Sequence, residues 1–372
     1  MLEFLSLKND AFGLDISDFS LKIARLKRKG RNFELASFGE FSIPSGVIKE
    51  GEISDEKSLV KILKDSFLKA LGEKIRTRNV IASLPEEKAF LQIIELPFMK
   101  EEEIVRAIGY QIENYIPLPV EEVYWDCSPV GPLKSHSEKI YVLIAAMPKK
   151  IVDPYFSVLR QAGLKPLAFE IESGAIARTL IPRQANKEQV LVIDLGATKT
   201  GFAVSVGTSL ACIFSIPVSG IVFDQIITKE LGVNLEEAER LKMRYGLDQK
   251  SEVRVKDGIR RKLEKGRVFE ALIPCLTDLL EQIEKYLNYY YTHVVGEKNK
   301  NGTIGKVIVC GGGAYIRGLP EFLSKQLKIP VELGNPWVNI LPPVQKKRKY
   351  FLERPLRYAT VFGLALRGIG EN

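Results

Sequence analysis

The chain has 372 residues, of which 45% are hydrophobic and 27% charged, and its formal net charge is +8. This length favours two domains, the composition is that of an ordinary globular protein, and no apolar run approaches the ~20 residues of a membrane-spanning helix. Two histidines and four widely spaced cysteines argue against a histidine-based metal site, a catalytic triad or a zinc site, and predict buried free thiols at Cys127, Cys212, Cys275 and Cys310.

The first elements are three predicted strands, at 11–16, 20–28 and 32–41. Asp15 lies at the end of the first strand, small polar Ser17 and Ser20 fill the turn, and Lys22 follows. A carboxylate at a strand end can hold a hydrated Mg²⁺ ion, and a turn of small residues lets backbone N–H groups approach a phosphate. Taken alone, such a turn is more often structural.

A small α+β insertion is predicted between residues 86 and 163. It follows a predicted helix over 54–71 and a strand over 79–83. It is predicted to contain a strand at 89–96, a helix at 101–115, strands at 121–130 and 139–146, and a helix at 148–162. The first of these helices must end before IPLP (116–119), because two prolines prevent its continuation.

A second half repeats the opening pattern of the chain. A predicted strand at 165–170 and a helix at 171–181 lead into it. Its own strands are predicted at 190–195, 200–206 and 209–216, and a helix follows at 219–231. Asp194 again ends a strand, and Gly196, Ala197 and Thr198 come before Thr200. The two aspartate-ended hairpins indicate an internal duplication, in which each half offers one phosphate loop to a shared cleft.

Glu239 and Lys242 form an E-x-x-K pair on a helix predicted over 234–245, which Asn234 caps and Gly246 closes. Without other evidence, such a pair is a solvated ion pair that contributes only a few tenths of a kcal/mol. A charged stretch at 248–266 is predicted to be exposed, and a long helix is predicted at 273–294.

A triple glycine, Gly311–Gly313, follows the predicted strand 306–310 and precedes Ala314 and a helix over 319–327. Three glycines cost backbone entropy, so a positive φ or a close backbone approach is the usual reason for them. The stretch is neither a P-loop nor a dinucleotide fingerprint, because neither pattern occurs in the chain. A tight strand-to-helix turn is an equal alternative. The last predicted elements are a strand with an extended loop and a final helix, at 330–345 and 357–366.

In this order, the motifs resemble the sugar kinase, heat-shock chaperone and actin superfamily. The resemblance implies an α/β protein with the actin-like ATPase fold: two related α/β domains around a nucleotide cleft for ATP and Mg²⁺, with a small α+β insertion in the first. Asp15 and Asp194 would hold Mg²⁺ largely through water, and Glu172 would be the catalytic carboxylate. The implied nucleotide-binding residues are Asp15, Ser17, Ser20, Lys22, Asp194, Gly196, Ala197, Thr198, Thr200, Glu239, Lys242, Gly311, Gly312, Gly313 and Ala314.

Nearly the whole chain also resembles the PilM family of type IV pilus assembly proteins, which is FtsA-like within that superfamily. The most specific likeness is EEEIVRAIGYQIENYIPLPVEEVYWD at 101–126, and the opening LEFLSLKNDAFGLDIS and NPW at 335–337 are also similar. The resemblance implies a cytoplasmic ATP-binding scaffold, peripheral to the inner membrane, that binds the N-terminal cytoplasmic tail of PilN in a groove between the first domain and the insertion. Alternatively, Ile116, Leu118 and Val120 pack the core of the insertion itself.

The implied domains are discontinuous in the sequence. The first actin-like domain comprises 1–85, 164–186 and 355–372, and the FtsA-like insertion comprises 86–163. The second actin-like domain comprises 187–235 and 303–354, and the helical subdomain comprises 236–302. Other pilus inner-membrane and motor components are further expected partners by the same resemblance.

The first loop departs from the family pattern, because Ser17 stands where glycine usually follows the Asp-x pair. We expect turnover to be slow or absent, since no histidine or cysteine is placed as a base near either loop. Three alternatives stay open: a small-molecule kinase of the same fold, an FtsA-like cell-division filament protein and a nucleic-acid-binding protein. The kinase alternative requires a substrate pocket. The FtsA class ends in an amphipathic helix, whereas this chain ends RGIGEN. The nucleic-acid alternative rests only on the net charge.

Overall fold

The computed structural model of the protein describes residues 10–130, 139–183, 188–207, 209–250, 252–257, 260–292, 303–341 and 352–370. The chain divides into two compact units, each with a central β-sheet and packed helices. The first unit comprises Met1–Asn186, Val206–Ala211 and Asn335–Asn372, and the second comprises Lys187–Ser205 and Cys212–Gly334. No helix in these described ranges combines the length and apolar character needed to cross a bilayer.

Most of the predicted helices and strands are confirmed to within a few residues. The strands are β1 (Phe12–Ile16), β2 (Ser20–Lys29), β3 (Asn32–Ser42), β4 (Ile48–Lys49), β5 (Glu52–Ile53), β6 (Leu71–Gly72), β7 (Asn79–Leu84), β8 (Phe90–Pro97), β9 (Val123–Pro129), β10 (Lys139–Pro148), β11 (Lys165–Ile171), β12 (Gln189–Leu195), β13 (Thr200–Val206), β14 (Ser209–Ile216), β15 (Glu252–Asp257), β16 (Arg260–Lys265), β17 (Lys306–Cys310) and β18 (Val331–Leu333). The α-helices are α1 (Glu56–Lys69), α2 (Glu101–Gly109), α3 (Lys149–Gln161), α4 (Glu172–Leu180), α5 (Gly220–Leu231), α6 (Leu235–Tyr245), α7 (Arg267–Tyr290), α8 (Leu319–Leu327) and α9 (Ala359–Gly368).

A six-stranded sheet in the order β11-β7-β1-β2-β3-β6 forms the centre of the first unit. β1, β7 and β11 run parallel, whereas β1, β2 and β3 are antiparallel neighbours. Successive side chains of β1 point to opposite faces. Phe12 and Leu14 join α1 and α3 in one apolar cluster. Gly13 lies against α9, where a Cβ atom would come within 2.4 Å of the Val361 carbonyl oxygen, so the close approach of the helix requires glycine.

The insertion has its own small core. Its antiparallel strands follow the order β8-β10-β9. Ile104 and Ile108 join its core from one face of α2, because they are four residues apart, and Ile112 joins it from the 3₁₀ turn that follows. Helix α3 instead packs with α1 in the cluster of the larger sheet. The predicted insertion, 86–163, therefore ends near β10 by its packing, since its last helix belongs to the main core.

The second unit repeats the topology of the first. Its sheet has the order β14-β13-β12-β17-β18, which matches β3-β2-β1-β7-β11 and confirms the predicted duplication. The long helix α7 begins at Arg267, earlier than predicted, and continues through Pro274. The stretch predicted only as exposed, 248–266, contains the β15–β16 hairpin. Its sequence EVRVKD alternates valine with charged residues, which is a strand pattern.

The segment 335–341 belongs to the first unit, although the sequence assigns 303–354 to the second actin-like domain. The reason is a backbone bridge, in which the Leu341 N–H donates to the Phe33 carbonyl oxygen at 2.7 Å. The domain boundary therefore lies near the end of β18. Residues 342–351 of this predicted domain segment lie outside the described residues.

Candidate functional site

The first predicted phosphate loop connects β1 to β2 in the first unit. Asp15 is 4% exposed; its Oδ2 accepts a hydrogen bond from Lys22 Nζ at 3.3 Å, and its Oδ1 accepts one from Ser83 Oγ at 3.1 Å. Ser83 Oγ also accepts from the Ile16 N–H at 2.9 Å. Ser83 lies near the end of β7, which runs parallel to β1. The sequence interpretation missed Ser83, whose signal is a polar residue near the end of an apolar strand.

Ser17 forms part of a hydrogen-bonded turn in this loop. Its N–H donates to the Ser20 carbonyl oxygen at 2.9 Å, and the two serine Oγ atoms lie 3.0 Å apart. Lys22 Nζ donates to Ser20 Oγ at 3.0 Å. Outside glycine, the described residues with positive φ are Glu50 and Lys328. Ser17 therefore has an ordinary backbone conformation, so the absence of the family's glycine does not strain the turn.

Glu172, the nominated catalytic carboxylate, is the first residue of α4 and is half-buried. The next residue, Ser173, donates its backbone N–H to Glu86 Oε2 at 3.0 Å, and Glu86 is 4% exposed. A carboxylate is favourable at a helix N-terminus because it meets the positive end of the helix dipole. Glu86 thus fixes the start of the helix that carries Glu172. The sequence interpretation missed it, since no spacing distinguishes it from the adjacent Glu87.

The second predicted loop starts at Asp194 in the second unit. Asp194 pairs in register with Cys310, which ends the parallel strand β17. Cys310 Sγ donates to Asp194 Oδ1 at a distance of 3.6 Å. Burial, together with the adjacent Asp194 charge, raises the pKa of the Cys310 thiol well above its ordinary value, so the thiol keeps the proton that it donates. The turn is closed by the Gly196 N–H, which donates to the Lys199 carbonyl oxygen at 3.0 Å.

The second loop is attached to the start of α5. The first two backbone N–H groups of this helix donate to the carbonyl oxygens of Gly196 and Ala197, at 2.9 and 3.0 Å. Thr200 is fully buried, and its Oγ1 donates to the Val218 carbonyl oxygen at 2.6 Å. Ala197 and Thr198 are exposed at the loop tip. The Thr200 hydroxyl is therefore engaged within the fold, whereas the tip is accessible to a ligand.

Lys242 is buried in the second unit and does not pair with Glu239 in a solvated ion pair. It is 2% exposed, its Nζ lies 2.8 Å from Asp224 Oδ1, and it donates to the Gly220 carbonyl oxygen at 2.9 Å. Burial raises the pKa of Asp224, against the lowering effect of the Lys242 ammonium. Lys242 therefore joins α6 to the start of α5, beside the second loop, while Glu239 is exposed. The sequence interpretation missed Asp224.

The three glycines after β17 have different local reasons. Gly311 has a φ of +81°, and a Cβ atom there would lie 2.3 Å from Asp194 Oδ1. A Cβ atom at Gly313 would lie 1.8 Å from Leu195 Cδ2. Gly312 has an ordinary φ of −66°, and a Cβ atom there would have nothing within 4 Å. The protein's own packing thus requires the first and third glycines, whereas the second borders open space.

The predicted site residues therefore form two groups, one in each unit. The first group surrounds Asp15 and the second surrounds Asp194. Within the described ranges, no set of three or more histidine, cysteine, aspartate or glutamate side chains gathers as a metal centre. A Mg²⁺ ion at either loop would depend on single carboxylates, water and ligand oxygens, which is the usual coordination of Mg²⁺ beside phosphates.

A separate groove, which we call the edge groove, lies in the first unit between β9 and β11 and encloses about 660 Å³. Each of these strands is the last strand of its sheet. Edge strands present backbone N–H and C=O groups with which an extended chain can pair. The larger apolar side chains that line the groove include Trp125, Met147, Phe156, Leu167, Phe169 and Ile171.

Charged groups line the same groove. Glu170 forms a bidentate pair with Arg178 at 2.7 and 3.0 Å and also accepts from Arg367 Nη1 at 3.3 Å. Asp126 and Asp153 add two further carboxylates to the lining. The groove thus combines apolar pockets with a carboxylate that is held in position by two guanidinium groups.

The residues of the IPLP region take different places. Ile116 is buried in the core of the insertion, and Leu118 and Val120 pack against that core. The alternative prediction, that these three residues pack the core of the insertion itself, is therefore confirmed. Tyr124 and Trp125, which follow in the same stretch of sequence, line the edge groove.

Comparisons with known proteins show the family and the fold of this chain. A family model for the type IV pilus assembly protein PilM matches residues 13–369. The cell division protein FtsA of Escherichia coli (strain K12) is 22% identical over 329 residues, 80% of this chain and 77% of FtsA. A PilM-PilN type IV pilus biogenesis complex matches with a TM-score of 0.79 and 25% identity, covering 98% of this chain and 100% of that chain. MreB5 of Spiroplasma citri bound to ADP matches in fold, with a TM-score of 0.55, 14% identity and coverage of 95% and 94%.

Proposed function

Because the chain belongs to the PilM family of type IV pilus assembly proteins and has the actin-like ATPase fold, we propose that it is an ATP-binding scaffold of pilus assembly. We propose that it binds the N-terminal cytoplasmic tail of PilN and is thereby held at the cytoplasmic face of the inner membrane. The solved PilM-PilN complex supports this partner. The family match over residues 13–369 favours this function over a kinase or a cell-division filament.

The nucleotide part of the proposal is supported by Gly312. This glycine has neither a positive φ nor a steric neighbour that demands it, and such a position leaves room for a ligand to approach the backbone. Asp15 and Asp194, each held by a hydrogen bond from a neighbouring strand, would hold the waters of Mg²⁺. Lys22 and the loop N–H groups would meet the phosphates. Bound Mg²⁺ would supply charge neutralisation of the triphosphate.

The edge groove is the main structural support for the proposed binding of the PilN tail. An extended peptide can add to either sheet edge through backbone hydrogen bonds, and its apolar side chains can fill pockets between them. Phe156 and Leu167, which are 48% and 39% exposed, offer apolar contact area without being part of the buried core.

The test is a calorimetric titration of a synthetic PilN tail peptide into the full chain. Phe156→Ser and Leu167→Ser should each weaken binding about fivefold or more, because truncated apolar anchors at interface centres commonly cost over ~1 kcal/mol. Leu68→Ser is the matched control, since Leu68 is 87% exposed on α1 and does not line the groove. Equal affinities for all four chains would reject the edge groove as the tail site.

We propose that nucleotide turnover is slow or absent, with Glu172 as the carboxylate available to orient a water molecule. The matching experiment measures ATP hydrolysis with and without small-molecule acceptors. A rate above about one per second, an ordinary enzyme rate, would favour the kinase alternative. Binding of ATP without such turnover would agree with a scaffold.

A further inference from the structure

A second pocket of the first unit, which we call the hairpin pocket, lies beside the turn between β2 and β3. It encloses about 340 Å³. None of the described residues that line it is acidic. The residues that matter here are Arg31, Phe33, Pro182, Arg183, Trp337 and Asn339. The hairpin pocket thus differs in charge from the edge groove, where three carboxylates contribute to the lining.

Two guanidinium groups converge on one aromatic ring at this pocket. Arg28 Cζ lies 5.4 Å and Arg183 Cζ lies 5.0 Å from the centroid of the Phe33 ring. Cation–π attraction favours both cations at this ring. Burial lowers the pKa of the Arg183 guanidinium, which is consistent with a partly desolvated cation. An anion bound near the ring would be attracted to both guanidinium groups.

The lysines of the hairpin have carboxylate partners, whereas two of its arginines, Arg28 and Arg31, have none among the described residues. Lys27 pairs with Glu73 at 2.6 Å and lies 3.6 Å from the Glu34 carboxylate, and Lys29 pairs with Glu34 at 3.1 Å. Arg28 donates to a backbone carbonyl oxygen, and neither Arg28 nor Arg31 forms an ion pair with any residue that the structure describes. Arg31 is exposed at the pocket lining, with its guanidinium free of such a pair.

We propose that the hairpin pocket binds a phosphate group, carried either by a small phosphate ester or by the headgroup of an anionic lipid. A phosphate ester carries up to two negative charges and offers several acceptor oxygens, which suits several guanidinium groups better than a single carboxylate does. The volume of the pocket is at the small end of the range for ligand sites. This inference is independent of the nucleotide loops, since none of their residues lines the pocket.

The test uses glycerol 3-phosphate and vesicles as probes of the full-length chain. Arg31→Gln is the main variant, because Arg31 makes no hydrogen bond or ion pair among the described residues and its loss should leave the fold intact. Lys61→Gln is the matched control, since Lys61 is an exposed cation on α1 outside the pocket. A double variant that adds Arg183→Gln extends the series, with thermal unfolding as the check on folding.

We expect Arg31→Gln to bind glycerol 3-phosphate about tenfold more weakly, a change of about 1.4 kcal/mol, while Lys61→Gln binds like the wild type. Sedimentation with vesicles of phosphatidylglycerol and phosphatidylcholine, compared with phosphatidylcholine alone, identifies the source. Loss of vesicle binding in Arg31→Gln would support a lipid headgroup, and a loss confined to glycerol 3-phosphate would support a free ester. The proposal is overturned if the wild type binds neither probe, or if Arg31→Gln and Lys61→Gln behave alike with both.

Discussion

The two halves of this molecule position their loop aspartates with the same device but different chemistry. In each half, a residue of the neighbouring parallel strand donates a hydrogen bond to the carboxylate: Ser83 Oγ to Asp15 at 3.1 Å, and Cys310 Sγ to Asp194 at 3.6 Å. A hydroxyl is a stronger donor than a thiol. Asp15 also forms an ion pair with Lys22 and is buried, whereas Asp194 is half-buried.

This difference indicates a division of roles between the loops. The first carboxylate is part of a buried polar network, so its loss should be felt mainly as lost stability. The second is held by a weak donor and lies beside the accessible loop tip, so its loss should be felt mainly in ligand binding.

Asp15→Ala should destabilise the chain by about 3 kcal/mol, because it leaves the largely buried Lys22 ammonium without its carboxylate. Asp194→Ala should cost about 1 kcal/mol, because Asp194 is half-buried and its hydrogen bond from the Cys310 thiol is weak. Urea unfolding, followed by probes in each unit, measures both, since a chain of two units need not unfold in one step. Equal losses would contradict the division of roles.

Ser83→Ala should cost about 2 kcal/mol, because it removes the donor to Asp15 and the acceptor of the Ile16 N–H from a fully buried site. Cys310→Ala should cost about 1 kcal/mol or less. Cys310→Ser is the informative third variant, because it gives the second half the hydroxyl donor that Ser83 provides in the first. If Cys310→Ala is as damaging as Ser83→Ala, the two devices are equivalent and the proposed contrast is wrong.

Alkaline pH should weaken the second unit more than the first. Burial raises the pKa of Cys212 to about 12 and that of Cys275 to about 11, and it raises the pKa of Cys310 well above its ordinary value of 9.0. Since the unfolded chain loses these protons near pH 9 and the folded chain does not, the thiols contribute stability below pH 9 that is lost as pH rises. The remaining cysteine, Cys127, is half-exposed in the first unit.

The loss is about 1.4 kcal/mol per thiol for each pH unit between the two pKa values. Unfolding at pH 8 and pH 10 measures it, with a reducing agent present throughout. Cys310→Ser should show a smaller loss than the wild type over this interval, because a hydroxyl does not ionise there. A loss that is the same in both proteins would show that Cys310 does not carry this dependence.

The sequence predicts the parts of this site that depend on local pattern. Asp15 and Asp194 are recognisable because a strand, a turn of small residues and a second strand are contiguous. The cap of α6 is equally local: Asn234 accepts from the Glu237 N–H at 2.8 Å, and Gly246 has a φ of +47°, as predicted. Repetition of the same local pattern also predicts the duplication of the sheet.

The partners of those residues could not be predicted in this way. Ser83 and Cys310 are far from their aspartates in the sequence and reach them only through the pairing of parallel strands. Asp224 meets Lys242 because two helices pack together. The place of α3 in the main core has the same origin, because an apolar stripe shows that a helix is buried but not which sheet it covers.

Gly312→Ala should have the smallest effect on stability, under about 0.5 kcal/mol, because its φ is ordinary and nothing lies within 4 Å of the added Cβ. Gly311→Ala is the contrasting variant: a φ of +81° and an oxygen at 2.3 Å should make it clearly destabilising. The second half thus separates a glycine that the fold requires from one that borders open space, whereas the first loop contains no glycine at all.

Nucleotide binding completes this last test. If Gly312 borders the proposed ligand, the added methyl group should weaken ATP binding about tenfold while the unfolding midpoint stays near that of the wild type, and titration with a fluorescent ATP analogue would measure the difference. Unchanged affinity would mean that the open space at Gly312 is not ligand space. A lowered unfolding midpoint would instead mean that the glycine has a structural reason, and the contrast with Gly311 would then no longer support a nucleotide at this loop.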